Sequence, residues 1–257
     1  MDPDITSRFS GVLRLYGTEG CARLRSAHVA VVGIGGVGSW IVEALARSGV
    51  GRLTLIDLDD ICVTNINRQI HATTQTVGKP KVEVMGERVR SVFPECRVET
   101  VGRFFNTQSA QELLSEEFSL VVDAIDGAAN KSLLIAECHK RKLPIVVSGS
   151  AGGRVDPTRI RTADLVRTSH DRLLADVRRR LRYDHGFPTQ DESWGIPAVY
   201  TVELAQPSAV QECAASDTPT ERADRLNCEA GMGSSVCVTG TFGFVAASVA
   251  IQKIIKG

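Results

Sequence analysis

The chain has 257 residues, no net formal charge and 43% hydrophobic residues, a composition typical of a soluble α/β protein with one large core. The balanced charge indicates no particular class of partner, and the polar, acidic N-terminus does not resemble a signal peptide. Seven cysteines are scattered without a Cys-x-x-Cys pair, which argues against a disulfide framework or a zinc knuckle and favours reduced thiols in the cytoplasm.

The first elements are predicted to be two helices and a buried strand. Residues 5–27 have apolar positions at helical spacing between arginines, which predicts a pair of leading helices. Residues 29–32 form a short apolar run, as expected of a strand that is buried on both faces of a parallel sheet.

A glycine-rich turn follows this strand, and an acid ends the next one. The turn contains Gly33, Gly35, Gly36 and Gly38 and allows the backbone to approach a phosphate at the positive N-terminus of the following helix. Asp57 ends a strand predicted over residues 53–56, where an acid can bind ribose hydroxyls. This order predicts a nucleotide site of Rossmann type and leaves open which nucleotide binds.

The later elements alternate between strand and helix. Residues 58–71 are too polar for a strand and lack helical periodicity, so we expect a loop at the carboxyl edge of the sheet. Pro80 opens a helix. We then predict a strand at 97–101, a helix at 111–118, a strand at 119–125, a helix at 131–142 and a strand at 144–148. The alternation predicts an α/β fold with a Rossmann-like, doubly wound, mostly parallel sheet, whose nucleotide-binding core is residues 1–153.

From residue 154 the composition becomes basic. Residues 154–182 contain nine arginines against four aspartates, around an apolar stripe at 173–181 that predicts a helix with an exposed basic face. Residues 183–230 are expected to form long loops with one short strand at 199–204. We interpret residues 154–230 as an inserted, substrate-facing region of basic helix and loops that contacts nucleic-acid phosphates. A solvated helix surface would explain the same charges.

Within the C-terminal residues 231–257, residues 236–255 are apolar over a length that could span a membrane. Thr239, Gly240 and Ser248 dilute this hydrophobicity. A C-terminal helix that packs on the core is therefore the favoured interpretation, and membrane association is the minor alternative.

Four motifs resemble those of the ubiquitin-activating-enzyme-like adenylating superfamily, in which ATP converts a carboxylate into an acyl-adenylate. They are Asp57-x-Asp59, Thr64-Asn65-x-x-Arg68-Gln69, Gly78-x-Pro80-Lys81 and Asp123-x-x-Asp126. Their order and spacing are similar to those of the superfamily from about residue 8 to residue 150.

Longer segments are similar to one family within this superfamily, the bacterial tRNA threonylcarbamoyladenosine dehydratases. The segments are residues 32–40, 54–57, 62–72 and 241–246, so the resemblance covers nearly the whole chain. It implies one adenylating domain that uses ATP to dehydrate and cyclise N6-threonylcarbamoyladenosine beside the anticodon of tRNA. The resemblance also implies a homodimer. Mg²⁺ is expected because a hard oxygen ligand suits that ion on the phosphates, and the reduced thiols favour a cytoplasmic location. A monovalent cation and proteins of a cysteine-desulfurase sulfur system are further candidate partners.

A role for each site residue follows from this resemblance and from the chemistry of adenylation. Arg68 and Lys81 would neutralise charge on the phosphates and Asp126 would hold Mg²⁺, so these three are the predicted catalytic residues. The predicted ATP-binding residues are Gly33, Gly35, Gly36, Asp57, Asp59, Asn65, Arg68, Gln69 and Lys81. Taken singly, each residue also has a structural explanation. Arg68 could be a surface arginine, Lys81 a solvated helix lysine and Asp126 a helix cap, but the fixed spacing of the three favours a shared site.

The sequence departs from the superfamily at two places. The leading helix carries Arg8-Phe9-Ser10-Gly11-Val12 where the superfamily has Arg-Tyr-x-Arg-Gln, so the arginine that reaches the partner subunit's ATP is missing. Arg8 or Arg14 is the candidate replacement. Gly127 stands where an asparagine is common, which removes one expected contact to adenine or ribose. Four other reactive residues are interpreted as structural, namely Cys213, Cys228, His71 and His139.

Three other functions remain as alternatives. Adenylation of the C-terminus of a ubiquitin-like sulfur-carrier protein would use the same core, but the missing zinc motif and the basic region favour tRNA and no ubiquitin-like partner. A nicotinamide-dependent oxidoreductase would use the glycine turn but gives Arg68, Lys81 and Asp126 no role. A non-catalytic sulfur-transfer scaffold is supported only by the free cysteines.

Overall fold

The computed structural model describes residues 7–114, 117–190, 192–207 and 232–257 of the chain. Its strands are β1 (His28–Val32), β2 (Arg52–Ile56), β3 (Arg97–Val101), β4 (Leu120–Asp123), β5 (Ile145–Ser148), β6 (Ile160–Asp164) and β7 (Pro197–Thr201). Its helices are α1 (Ser10–Ser26), α2 (Gly38–Arg47), α3 (Lys81–Val92), α4 (Ala110–Leu113), α5 (Ala128–Lys140), α6 (Arg172–His185) and α7 (Val236–Lys256). Short 3₁₀ turns lie at Val63–Asn65, Pro157–Arg159 and Leu165–Arg167.

The strands of the described chain form one seven-stranded sheet in the order β3-β2-β1-β4-β5-β7-β6. Neighbouring strands are parallel, except that β6 is antiparallel to β7. β1, β4 and β5 are buried along their whole length, as apolar runs in a sheet covered on both faces should be. This confirms the predicted doubly wound α/β fold. The strand order reverses beside β1, which opens a crevice at the carboxyl ends of the strands.

The leading helix pair was predicted correctly, whereas two later helices differ in their bounds. The leading pair is present, because Gly17 has φ 72° and interrupts α1. The helix predicted over residues 131–142 is α5, which runs from Ala128 to Lys140. The helix predicted over residues 111–118 was wrong beyond Leu113, since α4 ends there. Leu114 has extended backbone angles, and the chain then carries Phe118 into the core before β4 begins. The apolar pattern therefore identified the buried residues correctly but not their helical continuation.

The basic region contains a strand that the sequence did not predict. β6 buries only Ile160 and exposes Arg161 and Thr162, so it lacks the apolar alternation that indicates a strand. The strand predicted at 199–204 is β7, which begins and ends earlier. The apolar stripe of α6 is buried as predicted, at Leu174, Val177 and Leu181. Residues 191 and 208–230 of the predicted loops lie outside the described residues.

The C-terminal helix α7 packs on the core, as predicted. It lies against α2 and the sheet, and it buries Phe242, Ala246 and Ala250. A Cβ atom on Gly243 would lie 2.5 Å from the Cβ of Trp40, so this glycine lets α7 and α2 approach closely. In the described chain, α7 is long and apolar enough to cross a membrane by length and composition, but 50% of its apolar window is buried. This burial favours a core helix.

A buried carboxylate joins the helix after the glycine turn to the helix that begins at Lys81. Glu43 of α2 is 4% exposed, and its carboxylate accepts hydrogen bonds from Arg88 Nε of α3 at 2.7 Å and Arg47 Nε at 2.7 Å. Burial alone would raise the pKa of Glu43, but the hydrogen bonds from Arg88 and Arg47 outweigh it and the pKa lies below its usual value. Glu43 therefore holds two site-bearing helices together in its ionised form.

We expect Glu43→Gln to lower the free energy of unfolding by roughly 1–3 kcal/mol at pH 7, because hydrogen bonds to a charged group are lost. A lowered folded-state pKa contributes stability above the unfolded value of about 4.3, and this contribution disappears as the pH falls through the folded-state pKa. The difference between variant and wild type in urea unfolding should therefore shrink below about pH 4. Glu19→Gln, at an exposed ion pair with Arg23, is the control and should change little. A pH-independent difference for Glu43→Gln would contradict the account.

Candidate nucleotide site

A cavity of about 900 Å³ lies at the carboxyl ends of β1, β2, β4 and β5. Every residue that the sequence assigned to ATP, catalysis or magnesium lines this cavity, namely Gly33, Gly35, Gly36, Asp57, Asp59, Asn65, Arg68, Gln69, Lys81 and Asp126. The fold therefore brings together residues that are separated by up to ninety-three positions in the chain. Their individual roles remain predictions.

The glycine turn is packed too tightly for side chains at two positions. Gly33 has φ 89°, in the left-handed region, and a Cβ atom on Gly38 would lie 1.8 Å from the carbonyl oxygen of Gly33. The N–H of Ile34 donates to Asp57 Oδ2 at 2.6 Å. The acid that ends β2 thus fixes the shape of the turn.

Both carboxylate oxygens of Asp57 accept backbone hydrogen bonds. Oδ2 accepts the N–H of Ile34 at 2.6 Å, and Oδ1 accepts the N–H of Asp59 at 2.9 Å. Burial raises the pKa of Asp57 above its usual value, although the charge of Lys81 and the two N–H groups oppose this shift. A carboxylate has about four acceptor positions, so Asp57 can hold the turn and still accept a ribose hydroxyl.

α3 places the ammonium group of Lys81 in the cavity wall. Lys81 is 6% exposed, and its Nζ lies 2.7 Å from Oδ2 of Asp59. Asp60 and Pro80 form an antiparallel bridge, which anchors the start of α3 beside the end of β2. The side chain of Asp59 is 66% exposed, so it can move away when a phosphate approaches, whereas the buried stem of Lys81 keeps the positive charge in place.

The loop after β2 folds over the glycine turn. Asn65 is buried, and its Oδ1 accepts the N–H of Cys62 at 3.0 Å, which leaves its NH₂ group to donate to a ligand. Gln69 is buried, and its Oε1 has no hydrogen-bond partner among the described residues. Trp40 Nε1 donates to the carbonyl oxygen of Arg68 at 3.0 Å. The backbone of Arg68 is thereby held on α2, while its half-buried side chain lines the cavity.

A buried ion pair supports the turn that presents Asp126. Asp123 and Lys131 are both 0% exposed, and Lys131 Nζ lies 2.9 Å from Asp123 Oδ2. The other oxygen of Asp123 accepts the N–H of Ile125 at 3.0 Å, directly before Asp126. Gly127 is the N-cap residue of α5, so the exposed carboxylate of Asp126 does not cap this helix. It is available to a ligand in the cavity.

A sequence model of the ThiF family matches residues 8–257. The chain belongs to the ThiF family. It is 47% identical to the tRNA threonylcarbamoyladenosine dehydratase of Haemophilus influenzae, over 97% of this chain and 94% of that protein. Its structure is similar to that of E. coli tRNA N6-threonylcarbamoyladenosine dehydratase in complex with ATP, with a TM-score of 0.87, 42% identity and coverage of 99% of this chain and 96% of that chain. A molybdopterin-synthase adenylyltransferase of Salmonella typhimurium is 36% identical over 54% of this chain and 55% of that protein.

The cavity of this ThiF-family protein also has lining residues that the sequence did not single out. They include Arg103, Phe104, Ser150, Arg154, His170 and Arg172. Arg103 and Phe104 follow β3, and Ser150 follows β5, so the rule that ligands bind at the carboxyl ends of parallel strands could have found them. His170 and Arg172 lie at the start of α6, and only the folding of the basic region brings them to the cavity.

Two histidines that were interpreted as structural lie outside the cavity of the ThiF-family site. His71 is buried, and burial followed by the charges of Lys81 and Arg88 lowers its pKa to about 4. His139 packs its ring against Phe187, with ring centroids 4.7 Å apart. Both positions fit the structural interpretation. Cys213 and Cys228 lie outside the described residues.

Proposed function

We propose that this ThiF-family protein catalyses the ATP-dependent dehydration and cyclisation of N6-threonylcarbamoyladenosine in tRNA, next to the anticodon. The observation that carries the proposal is the single cavity in which Arg68, Lys81 and Asp126 meet the glycine turn. A nicotinamide-dependent oxidoreductase would not need these three charges beside its nucleotide. The similarity over nearly the full length of two tRNA-modifying relatives supports the choice of substrate.

The proposed function assigns a part to each region of the chain. Residues 1–257 act as one adenylating domain, in which 1–153 bind ATP, 154–230 face the substrate and 231–257 pack on the core. A tRNA substrate supports a cytoplasmic location. A partner from a cysteine-desulfurase system stays a prediction.

The first step of the proposed reaction activates the carboxylate of the substrate. A carboxylate oxygen attacks the α-phosphorus of ATP, the bond to the bridging oxygen of the β-phosphate breaks, and pyrophosphate leaves. Negative charge on the phosphate oxygens must be stabilised in this transition state, and Arg68 and Lys81 carry the opposite charge in the cavity wall. The turn and the N-terminus of α2 would bind the phosphates, and Asp57 the ribose.

The second step closes the ring within the substrate. An amide nitrogen or oxygen of the threonylcarbamoyl group attacks the activated carbonyl carbon, and an N–H of the same group gives up its proton. AMP leaves with the original carboxylate oxygen, so the substrate loses one water overall. This route needs no protein nucleophile.

The residues at the cavity fit a magnesium ion held by Asp126. Mg²⁺ prefers hard oxygen ligands and is often bound by one or two carboxylates together with substrate phosphates. Asp126 supplies such a carboxylate, because it lies exposed in the cavity and does not serve as the N-cap of α5. When bound, the ion would neutralise charge on the phosphates of ATP. A monovalent cation remains a further candidate, without an assigned ligand.

Exposed arginines near the β6 edge of the sheet offer a surface for the tRNA backbone. Arg159 and Arg167 are exposed there. Three consecutive arginines of α6, Arg178 to Arg180, are instead engaged by nearby side chains. Arg178 donates to Thr168 Oγ1, and both Arg179 and Arg180 pair with Asp176. Arg159 and Arg167 are therefore better candidates for phosphate contacts.

We expect the double variant Arg159→Glu, Arg167→Glu to weaken tRNA binding and to reduce the slope of log K against log salt by about 2, since each phosphate contact contributes about 0.9. Affinity should be measured at several salt concentrations by filter binding. The double variant Arg90→Glu, Arg97→Glu, near the opposite β3 edge, makes the same change in charge and should leave the slope nearly unchanged. An equal change in the salt slope for both double variants would mean that Arg159 and Arg167 make no specific contact with the tRNA backbone.

The family resemblance implies a homodimer, and a partly apolar surface beside the cavity supports this. Val63 and Ile66 in the loop and Val236 and Phe244 on α7 are exposed apolar residues. The loop and the start of α7 are adjacent, because Asn67 Nδ2 donates to the carbonyl oxygen of Ser234 at 3.1 Å. A second copy of the chain would cover this surface.

The proposed homodimer limits how Arg8 or Arg14 could replace the missing trans arginine. Neither Arg8 nor Arg14 lines the cavity of its own chain. Either residue could therefore replace the missing arginine only by reaching the site of a partner subunit.

The decisive experiment incubates the purified protein with ATP, Mg²⁺ and tRNA that bears threonylcarbamoyladenosine, and then measures nucleoside mass. Loss of one water with release of AMP is the expected result. An unchanged nucleoside together with adenylation of a ubiquitin-like sulfur-carrier C-terminus would overturn the proposal in favour of the alternative.

A further inference from the structure

The cavity extends beyond the predicted ATP residues to a second basic cluster. Here the turn after β5 meets the start of α6, and the wall includes Ser150, Arg154, His170 and Arg172. None of these residues belongs to the set assigned to ATP. No acid in the described ranges forms an ion pair with Arg154 or Arg172.

Arg154 is a buried cation without a charged partner in the part of the chain that the structure describes. It is 4% exposed, and its two terminal nitrogens donate to the carbonyl oxygens of Gly152 at 2.6 Å and His170 at 3.3 Å. Its Nε is buried and has no hydrogen-bond partner among the described residues. Neutral carbonyl groups do not balance a buried positive charge, and an unbalanced charge is costly. An anion that enters the cavity would supply both the missing charge and an acceptor.

The surrounding backbone holds this cluster in place. Asp171 is the N-cap of α6, where its Oδ1 accepts the N–H of Leu174 at 3.0 Å and its Oδ2 accepts the N–H of Ser150 at 2.9 Å. The nearby carboxylate is therefore engaged by backbone N–H groups. The same two bonds tie the turn after β5 to α6, next to Arg172, so the cluster is organised before a ligand binds.

We propose that Arg154, together with Arg172, binds an anionic group of the tRNA substrate. This inference rests on the proposed function. The group is the carboxylate of the threonylcarbamoyl side chain or a phosphodiester beside the modified adenosine, since a guanidinium offers a planar fork that fits either one. The glycine turn, Arg68 and Lys81 are already assigned to the phosphates of ATP. The anionic group of the substrate enters the same cavity and needs a separate positively charged partner.

The test compares Arg154→Gln with wild type in binding ATP, tRNA that bears threonylcarbamoyladenosine, and the same tRNA with unmodified adenosine. We expect affinity for modified tRNA to fall about tenfold or more and affinity for ATP to change less than about twofold. A loss confined to modified tRNA assigns Arg154 to the carboxylate. An equal loss for both tRNAs, with a smaller salt slope, assigns it to a phosphodiester. Unchanged affinity for both tRNAs, or a loss of ATP affinity instead, overturns the proposal.

Further variants guard against misfolding and against a general effect of charge. Arg172→Gln changes an exposed residue of the same cluster, so it should weaken tRNA binding even if Arg154→Gln does not fold. Unchanged tRNA affinity of Arg172→Gln would then overturn the proposal. Arg154→Lys keeps the charge but not the fork and should recover part of the affinity. Arg97→Gln, at the far edge of the sheet, is the matched control.

Failure of the wild-type protein to dehydrate modified tRNA would refute the proposed function, whereas the differences between variants decide this inference.

Discussion

Replacing Lys81 with methionine is expected to lower the turnover number by about 10²–10³-fold, with folding and tRNA binding retained. Methionine fills nearly the same space as the buried lysine stem but removes the ammonium group that faces Asp59 across 2.7 Å. Charge at the α-phosphate increases in the transition state, so the missing ammonium should reduce turnover more than it reduces ATP affinity. Initial rates of nucleoside conversion at saturating ATP and tRNA give the turnover number, and equilibrium titration gives the ATP affinity.

Lys79→Met is the matched control for this experiment. Lys79 lies two residues earlier in the same segment, is exposed and does not line the cavity. Its substitution should leave turnover within about twofold of wild type, as surface changes away from a site usually do. Full activity of Lys81→Met would mean that Lys81 serves only as the ion-pair partner of Asp59.

The core strands could be predicted because a strand that is buried on both faces has an almost continuous run of apolar residues. β1 and β4 are buried along their length and apolar at all but one position each, and flanking helices with their own periodicity confirm the alternation. β6 lacks such an apolar run, since it lies at the edge of the sheet and exposes Arg161 and Thr162. Its strand character comes from backbone pairing with β7, which lies more than thirty residues later in the chain.

The shared cavity position of the predicted nucleotide-binding residues could be predicted for a different reason. Asp57 and Asp126 closely follow strands, and the carboxyl ends of parallel strands meet at one edge of the sheet. Arg154 and Arg172 could not be placed in the same way, because an arginine-rich segment most simply predicts a solvated surface. Only the capping of α6 by Asp171, with its bond to Ser150, turns part of this basic region toward the cavity.

The buried ion pair that supports the turn before Asp126 could not be predicted from the sequence. A lysine within a helix ordinarily predicts an exposed charge, yet Lys131 is 0% exposed and pairs with Asp123. The motif Asp123-x-x-Asp126 identified both acids but not their different duties. The inner acid holds the turn, and the outer acid lies exposed in the cavity.

We expect Asp126→Asn to lower turnover about 10²-fold and to raise the Mg²⁺ concentration needed for half-maximal rate. Asparagine keeps the size and one oxygen of the side chain but removes the negative charge that a divalent cation requires. Rates measured across a Mg²⁺ titration at fixed ATP would separate the two effects. Asp184→Asn, at an exposed position on α6 outside the cavity, should leave the titration unchanged.

The Mg²⁺ titration of Asp126→Asn distinguishes a metal ligand from a structural acid because the two roles respond differently to the ion. If Asp126 holds Mg²⁺, excess Mg²⁺ should restore part of the rate, since binding that has only been weakened recovers at higher concentration. If Asp126 only shaped the turn, the variant would melt at a lower temperature and added Mg²⁺ would not restore its rate. The buried pair of Asp123 and Lys131 remains intact in this variant, and it already fixes the turn through the N–H of Ile125. We therefore expect the melting temperature to stay close to that of wild type while the Mg²⁺ dependence shifts.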